Sequence, residues 1–449
     1  MPRLIKTVQV IIPTAATFEQ IAGRQKRADC ERYRLMTYVV QQPVDDGLLL
    51  YNTLTCSMVL LQPDETADLT AQLELIERWF LVPKDHDDRK LCRQVRQMAA
   101  LLKPTAKVID SYMILTTTGC NARCFYCFEK GSKPVTMIAE TASKVVRYIV
   151  AHHGDETVNI HWFGGEPLVN TKVIDQICTE LSVQGVPFHS DMISNGYLFD
   201  ANMVHHAKDL WLLQSVAITL DGTAQTYNRV KDYVYRDVNA FERVLQNIGL
   251  LIAAGIRVSI RLNVGKHNIG EMAELVELLH QRFGANEHLT VTPRALFEEE
   301  HNAELFAQRM QLEQQIAAYG FAHKLYDLPK DIRLNCCMAD DDGSRVVIAP
   351  DGHLVKCHHY LDREFFGHID SEERNEAIVR KFKERRADID ACATCFNYPQ
   401  CIRLVMCNKD IYCTSVKQQE HLYNMREAMK YEYERYLKNE NHYPDSINV

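Results

Sequence analysis

Residues 119–131 read GCNARCFYCFEKG, and this stretch decides the fold. Cys120, Cys124 and Cys127 stand in a C-x3-C-x2-C spacing directly after the apolar run YMILTTT at 112–118. Three thiolates on one short loop can hold three irons of a cubane and leave the fourth iron open, whereas most electron-transfer clusters are closed by four cysteines. An open iron can take a substrate or cofactor, as the open position of a catalytic zinc site does. The residues alone also allow a zinc site with a distant fourth ligand.

Outward from this loop the sequence alternates regularly. Apolar runs recur at 157–163, 188–194, 214–220, 256–264 and 288–292, with helix-period stretches at 137–152, 170–183, 200–211, 239–254 and 269–283. Strands alternating with helices predict parallel βα units with right-handed crossovers, as an open partial barrel or a doubly wound sheet. In either, ligand sites form beyond the C-terminal strand ends. The chemistry-bearing residues fall there: the cysteine loop after the first run, Gly164-Gly165-Glu166-Pro167 after the second, Ser194-Asn195-Gly196 after the third, Asp221-Gly222 after the fourth, and Asn263 ending the fifth. Singly each reads as a turn; together they predict one rim.

Composition narrows the function. At roughly 100–200 residues per domain, 449 residues predict two to four domains. A net charge of −8, from 51 basic and 59 acidic side chains, argues against a dedicated nucleic-acid binder. The longest apolar run, 248–256, is far short of the ~18 residues of a membrane span. Gln9 and Pro13 interrupt the apolar patch near the N-terminus, so no signal peptide is read and a cytoplasmic location is expected. The 15 cysteines are therefore not a secreted disulfide framework. Eleven of them cluster, at 120, 124, 127, 336, 337, 357, 392, 395, 401, 407 and 413, which points to metal.

The flanks read differently. Before the barrel, extended segments 32–42 and 47–61 flank a turn at Pro43–Asp46, and helical patterns follow at 65–80 and 87–102. After a helical stretch at 303–319, residues 336–413 show little hydrophobic periodicity apart from a hairpin at 344–357. Such a segment depends on cross-links or metals. The tail from 414 predicts a helix whose Tyr and Met residues pack rather than react. The boundaries expected are 1–105, 106–325, 326–415 and 416–449.

The cysteine loop, with the motifs that follow it, resembles the radical S-adenosylmethionine (radical SAM) superfamily over 110–295. The resemblance implies an α/β fold: a partial (β/α)6 TIM-type barrel, flanked by a small α+β N-terminal domain and a Cys-rich C-terminal iron–sulfur domain. It implies a [4Fe-4S] cluster on Cys120, Cys124 and Cys127 whose open iron takes the amino and carboxylate groups of SAM, with Tyr126 near the adenine. Gly164, Gly165 and Glu166 match the motif whose backbone approaches the methionine end and whose carboxylate receives the ammonium. Ser194, Asn195, Thr219, Asp221 and Arg229 match positions lining the ribose and carboxylate side, Thr219 standing where serine is frequent, and Asn263 completes the expected cofactor-binding set.

The C-terminal cysteines resemble the SPASM extension of this superfamily, which carries two auxiliary [4Fe-4S] clusters. The resemblance implies Cys336, Cys337, Cys357 and Cys407 for one cluster and Cys392, Cys395, Cys401 and Cys413 for the other, making three clusters in all. Two spacings in the 392–413 run depart from the usual pattern, and zinc in four-thiolate sites is the competing assignment. His358 follows Cys357 where sulfatase maturases carry a proton-accepting aspartate, which makes it a candidate base. SPASM-containing members mostly modify peptides, and many carry an N-terminal domain that binds a leader as an added strand. The expected function is a peptide maturase that forms a thioether or carbon–carbon crosslink in a ribosomal precursor peptide. Its electron donor would be a flavodoxin or ferredoxin, and neither nucleic acid nor membrane is an expected partner. The alternatives are a formylglycine-forming sulfatase maturase and a non-catalytic iron–sulfur or zinc protein that binds peptides.

Overall fold

Six apolar runs become six parallel strands in a computed structural model. It describes the chain apart from residues 1–7, 28–31, 67–68, 70–72, 103–104, 128, 132, 237–238, 297–298, 300–301, 322–326, 335–336, 340, 403, 408–412 and 441–449. The expected ligand Cys336 therefore lies outside the described residues.

The N-terminal part contains β1 (Gln9–Ile12), α1 (Ala16–Ala22), β2 (Tyr33–Leu35), β3 (Val39–Val44), β4 (Gly47–Asn52), β5 (Ser57–Leu61), α2 (Leu73–Glu77), β6 (Leu81–Pro83) and α3 (Asp88–Leu102). Four strands form an antiparallel sheet in the order β1-β5-β4-β3, and β2 pairs separately with β6. Two expectations change here. Pro43 lies within β3, opposite Leu48, so the turn is confined to Asp45–Asp46. The run 47–61 is two strands, broken by a wholly buried turn, Asn52–Cys56. Asn52 makes that turn: its Oδ1 accepts from Leu54 N at 2.9 Å, a local bond that competes with the sheet ladder.

The barrel strands are β7 (Ser111–Thr117), β8 (Val158–Gly164), β9 (Phe188–Ser194), β10 (Leu213–Leu220), β11 (Arg257–Val264) and β12 (Leu289–Ala295). Between them run α4 (Ala139–His152), α5 (Thr171–Val183), α6 (Ala201–Asp209), α7 (Ala224–Lys231), α8 (Ala240–Ala253) and α9 (Met272–Phe283), with α10 (Ala303–Ala318) after the last strand. Alternate residues such as Ile160, Trp162, Ile218 and Ile260 are fully buried against the helices in one continuous core. That period-2 burial is the signature of strands whose other face points inward. The inward face stays open. Ile193 is 45% exposed, where a closed barrel would pack it.

The sheet does not end with the alternation. The C-terminal hairpin, β13 (Arg345–Ile348) and β14 (His353–Val355), extends it, because β13 pairs in parallel with β7. With β15 (Phe365–His368) the order is β12-β11-β10-β9-β8-β7-β13-β14-β15, a nine-stranded sheet. Helices α11 (Glu376–Lys383) and α12 (Ser415–Glu440) follow. The tail helix α12 packs Met425, Ala428, Met429 and Tyr433 against Val40, Leu49, Tyr51 and Leu60 of the N-terminal sheet. Among the described residues no helix is long and apolar enough to cross a membrane.

Candidate active site

The C-terminal ends of β7 to β11 converge on one rim. The cysteine loop leaves β7 and is tied down by backbone: Arg123 N donates to Lys231 O at 2.8 Å and Val234 N to Asn121 O at 2.8 Å. The end of β8 is stitched to the same loop, Gly165 N to Thr117 O and Glu166 N to Gly119 O, both at 3.0 Å. Glycine is required at both positions. A Cβ on Gly164, whose φ is +133°, would lie 2.1 Å from Thr117 O, and one on Gly165 would lie 2.5 Å from Gly119 O.

Glu166 is fully buried. Its Oε1 accepts from Leu168 N at 3.1 Å and Ser194 Oγ at 2.9 Å, and its Oε2 accepts from Asn195 N at 2.7 Å. An ionised carboxylate offers about four acceptor positions, so one remains for an incoming donor. Burial pushes the carboxyl up to about 7 against those hydrogen bonds. Asn195 also reaches the loop, donating from Nδ2 to Asn121 Oδ1 at 2.6 Å.

Opposite Glu166 lies a buried network. Lys231 Nζ is 2.9 Å from Asp221 Oδ2, and the two side chains are only 3% and 1% exposed. Lys231 Nζ also donates to Thr219 Oγ1 at 2.6 Å and Tyr126 OH at 3.2 Å. Tyr126 OH donates to Asp221 Oδ1 at 2.6 Å, and Asn263 Nδ2 donates to both Tyr126 OH and Asp221 Oδ1 at 3.0 Å. Burial weighs most against the lysine charge, but Asp221, Tyr126, Cys124 and Tyr227 together hold its pKa well above the ordinary value. Thr219, Asp221, Tyr126 and Asn263 are thus brought together, whereas Arg229 is exposed on α7. The rim cation is Lys231, which the motif reading did not include. A signal was there: Tyr227 and Lys231 are four apart on a helix, and α7 buries Tyr227, Val230 and Lys231 while Arg229 turns outward.

His358 is mostly enclosed, its ring edge-on to Phe163 at 4.9 Å, on the strand that ends in the glycine pair. Burial, then the neighbouring His359, pushes its pKa down to about 4, so the ring is neutral at pH 7 and only weakly basic. Cys337, Cys357 and Cys407 border one small core around Tyr360, Phe382 and Leu404. Cys395 interacts electrostatically with Cys392 and Cys413. Among the described residues no three His, Cys, Asp or Glu side chains converge tightly enough to hold a single ion. A zinc ion with Zn–S bonds of about 2.3 Å needs its sulfurs within roughly 4 Å of one another. Four thiolates around a cubane each bind a separate iron and so stand farther apart than around one zinc ion. At the rim the donor set is right for the same group: Cys120 interacts with both Cys124 and Cys127, beside a glycine cradle and a carboxylate with a free acceptor position.

Comparison with known proteins gives the class. Residues 114–279, within the parallel-stranded barrel, match the model of the radical SAM superfamily. Among its relatives is the GTP 3',8-cyclase of Helicobacter pylori, 25% identical over 293 residues that cover 61% of this chain and 86% of that one. Among solved structures, anSMEcpe with bound AdoMet superposes with a TM-score of 0.55 at 15% identity, covering 75% of this chain and 96% of its own. Streptococcus suis SuiB bound to precursor peptide SuiA superposes with a TM-score of 0.52 at 12% identity, covering 86% of this chain and 100% of its own. At these identities the structural likeness shows the fold.

Proposed function

We propose that this enzyme modifies a ribosomally made peptide, using SAM bound at the rim and two further iron–sulfur clusters in the C-terminal segment. The observation that carries the SAM site is the Glu166 cradle: a buried carboxylate with one free acceptor position, fixed by backbone to the loop of Cys120, Cys124 and Cys127. In this reading the three cysteines would hold a [4Fe-4S] cluster, which would pass one electron from the external reductant to SAM, giving methionine and a 5′-deoxyadenosyl radical able to abstract hydrogen from carbon. The protein's part is placement. Glu166 receives the SAM ammonium, and the glycine pair admits the methionine end against bare backbone. Lys231, locked to Asp221, Thr219 and Tyr126, fixes the opposite wall. The open inward face, with Ile193 exposed, leaves room for a substrate to approach from within the barrel.

Peptide as substrate is supported by the N-terminal part. Its antiparallel sheet ends in β3, which has no strand partner on its outer side among the described residues, and an extended leader can pair with such an edge. The match to SuiB extends over 86% of the chain and so reaches beyond the barrel. A thioether or carbon–carbon crosslink is the proposed product and a flavodoxin or ferredoxin the proposed reductant. Formylglycine formation fits less well, because His358 stands in the place of the expected aspartate and the chain carries a long N-terminal part before the barrel. The test is metal analysis of anaerobically purified protein, together with mass spectrometry of a short Cys-rich peptide encoded beside the gene and co-expressed with it. The reading expects about twelve irons per chain and a peptide mass lowered by two hydrogens per crosslink. Abundant zinc with little iron, or an unmodified peptide at full iron loading, contradicts it.

A further inference from the structure

One helix of the N-terminal part reaches the second group of C-terminal cysteines. Between Cys395 and Cys401 the loop is held from outside. Thr53 Oγ1 donates to Phe396 O at 2.5 Å, and Gln400 Nε2 donates to Thr53 O at 2.7 Å. Tyr398 stacks on Tyr38 at 6.3 Å, and Arg96 of α3 donates from Nη1 to Pro399 O. Three arginines lie along α3 at this junction. Arg89 and Arg93 both find Asp388, at 2.5 and 3.9 Å. Arg96 has no carboxylate partner among the described residues, and its Nη2 is buried without a hydrogen-bond acceptor. Its titratable neighbours are the neutral thiols of Cys92 and Cys401, the Tyr398 phenol and a second guanidinium, Arg385, which itself donates to Cys401 O at 2.7 Å. Arg385 is exposed to solvent, but the enclosed Arg96 guanidinium with an orphaned N–H is unfavourable unless an anion joins it.

We propose that Arg96 is the counter-charge of the iron–sulfur cluster held by Cys392, Cys395, Cys401 and Cys413, its free Nη2 donating to a sulfur of that site. The inference rests on the cluster assignment under Proposed function. A cubane closed by four thiolates is an anion whose charge increases on reduction, so a buried guanidinium beside it favours the reduced form and raises its potential. The N-terminal part thereby becomes a component of the redox site, beyond its proposed use in binding a leader.

The test is a potentiometric titration of the anaerobically reconstituted full chain followed by electron paramagnetic resonance, with iron counted in each sample. Arg96→Gln should keep about twelve irons and make one cluster about tenfold harder to reduce, a shift of about 59 mV to lower potential. Arg89→Gln, which loses the Asp388 pair at the same junction, should leave all potentials in place. Unchanged potentials in Arg96→Gln at full iron overturn the inference. If Arg96→Gln instead loses about four irons, retention of all iron in Arg89→Gln supports it, and equal loss in Arg89→Gln overturns it by making the junction a packing contact alone. Wild-type protein with only about four irons overturns the cluster assignment itself, and the iron count distinguishes that failure from the others.

Discussion

The rim at the ends of β7 to β11 and the C-terminal cysteine segment both gather thiols, but they are built in opposite ways. At the rim, backbone does the gathering: adjacent parallel strands place Thr117, Gly164 and Ser194 in register, and main-chain bonds from Gly165, Glu166 and Arg123 fix the cysteine loop. Between Cys392 and Cys401 there are only two short 3-10 turns, Asp390–Ala393 and Tyr398–Gln400, held by side chains from the N-terminal part. The first site is therefore preformed by a hydrophobic core and, in the proposed reading, can await its cofactor. The second borrows order from its neighbours and, in the proposed reading, from metal.

The largest effect should come from removing iron. Chelation is expected to abolish amide-exchange protection across 390–402 while β7 to β12 keep theirs, read by hydrogen-exchange mass spectrometry; equal loss in both regions would erase the contrast. Next is Lys231→Met, which leaves Asp221 buried and unpaired. It should cost about 3–5 kcal/mol in chemical denaturation, and a cost near zero would mean that the network is not held by that ion pair. Gly164→Ala forces a Cβ onto Thr117 O at positive φ and should destabilise by about 1–3 kcal/mol, with SAM affinity falling alongside. The smallest effect concerns pH. Because burial raises Glu166 to about 7, the folded protein keeps this carboxyl protonated at pH values where a free glutamate is ionised. Only the ionised form receives an ammonium, so SAM affinity should rise roughly tenfold from pH 6 to pH 8 by equilibrium dialysis. Glu166→Gln should bind weakly with a flat profile.

The same contrast explains what the sequence made legible. The six barrel strands and their rim motifs could be read because parallel strands buried against helices leave continuous apolar runs, and ligands collect at strand ends. Lys231 was hidden, because a lysine in a polar eight-residue helix reads as solvated until Tyr227, four residues earlier, is seen to share its buried face. The turn at Asn52–Cys56 was hidden too, since its residues continue an extended apolar run and only the Asn52 side chain redirects the chain. The joining of β13 to β7 was not legible, because a three- or four-residue strand carries no mark of the distant strand it will pair with. Nor could Arg96 be singled out: its meaning depends on Cys401, 305 residues away, and on the acceptor it lacks.

Cys120, Cys124 and Cys127 are proposed to form the site at which SAM is cleaved. This assignment is tested by measuring 5′-deoxyadenosine released from SAM by the reduced, reconstituted chain. The wild-type protein should release it, and the variant with all three cysteines changed to alanine should release none while retaining the iron of the C-terminal segment. Release that persists in the triple variant would contradict the assignment.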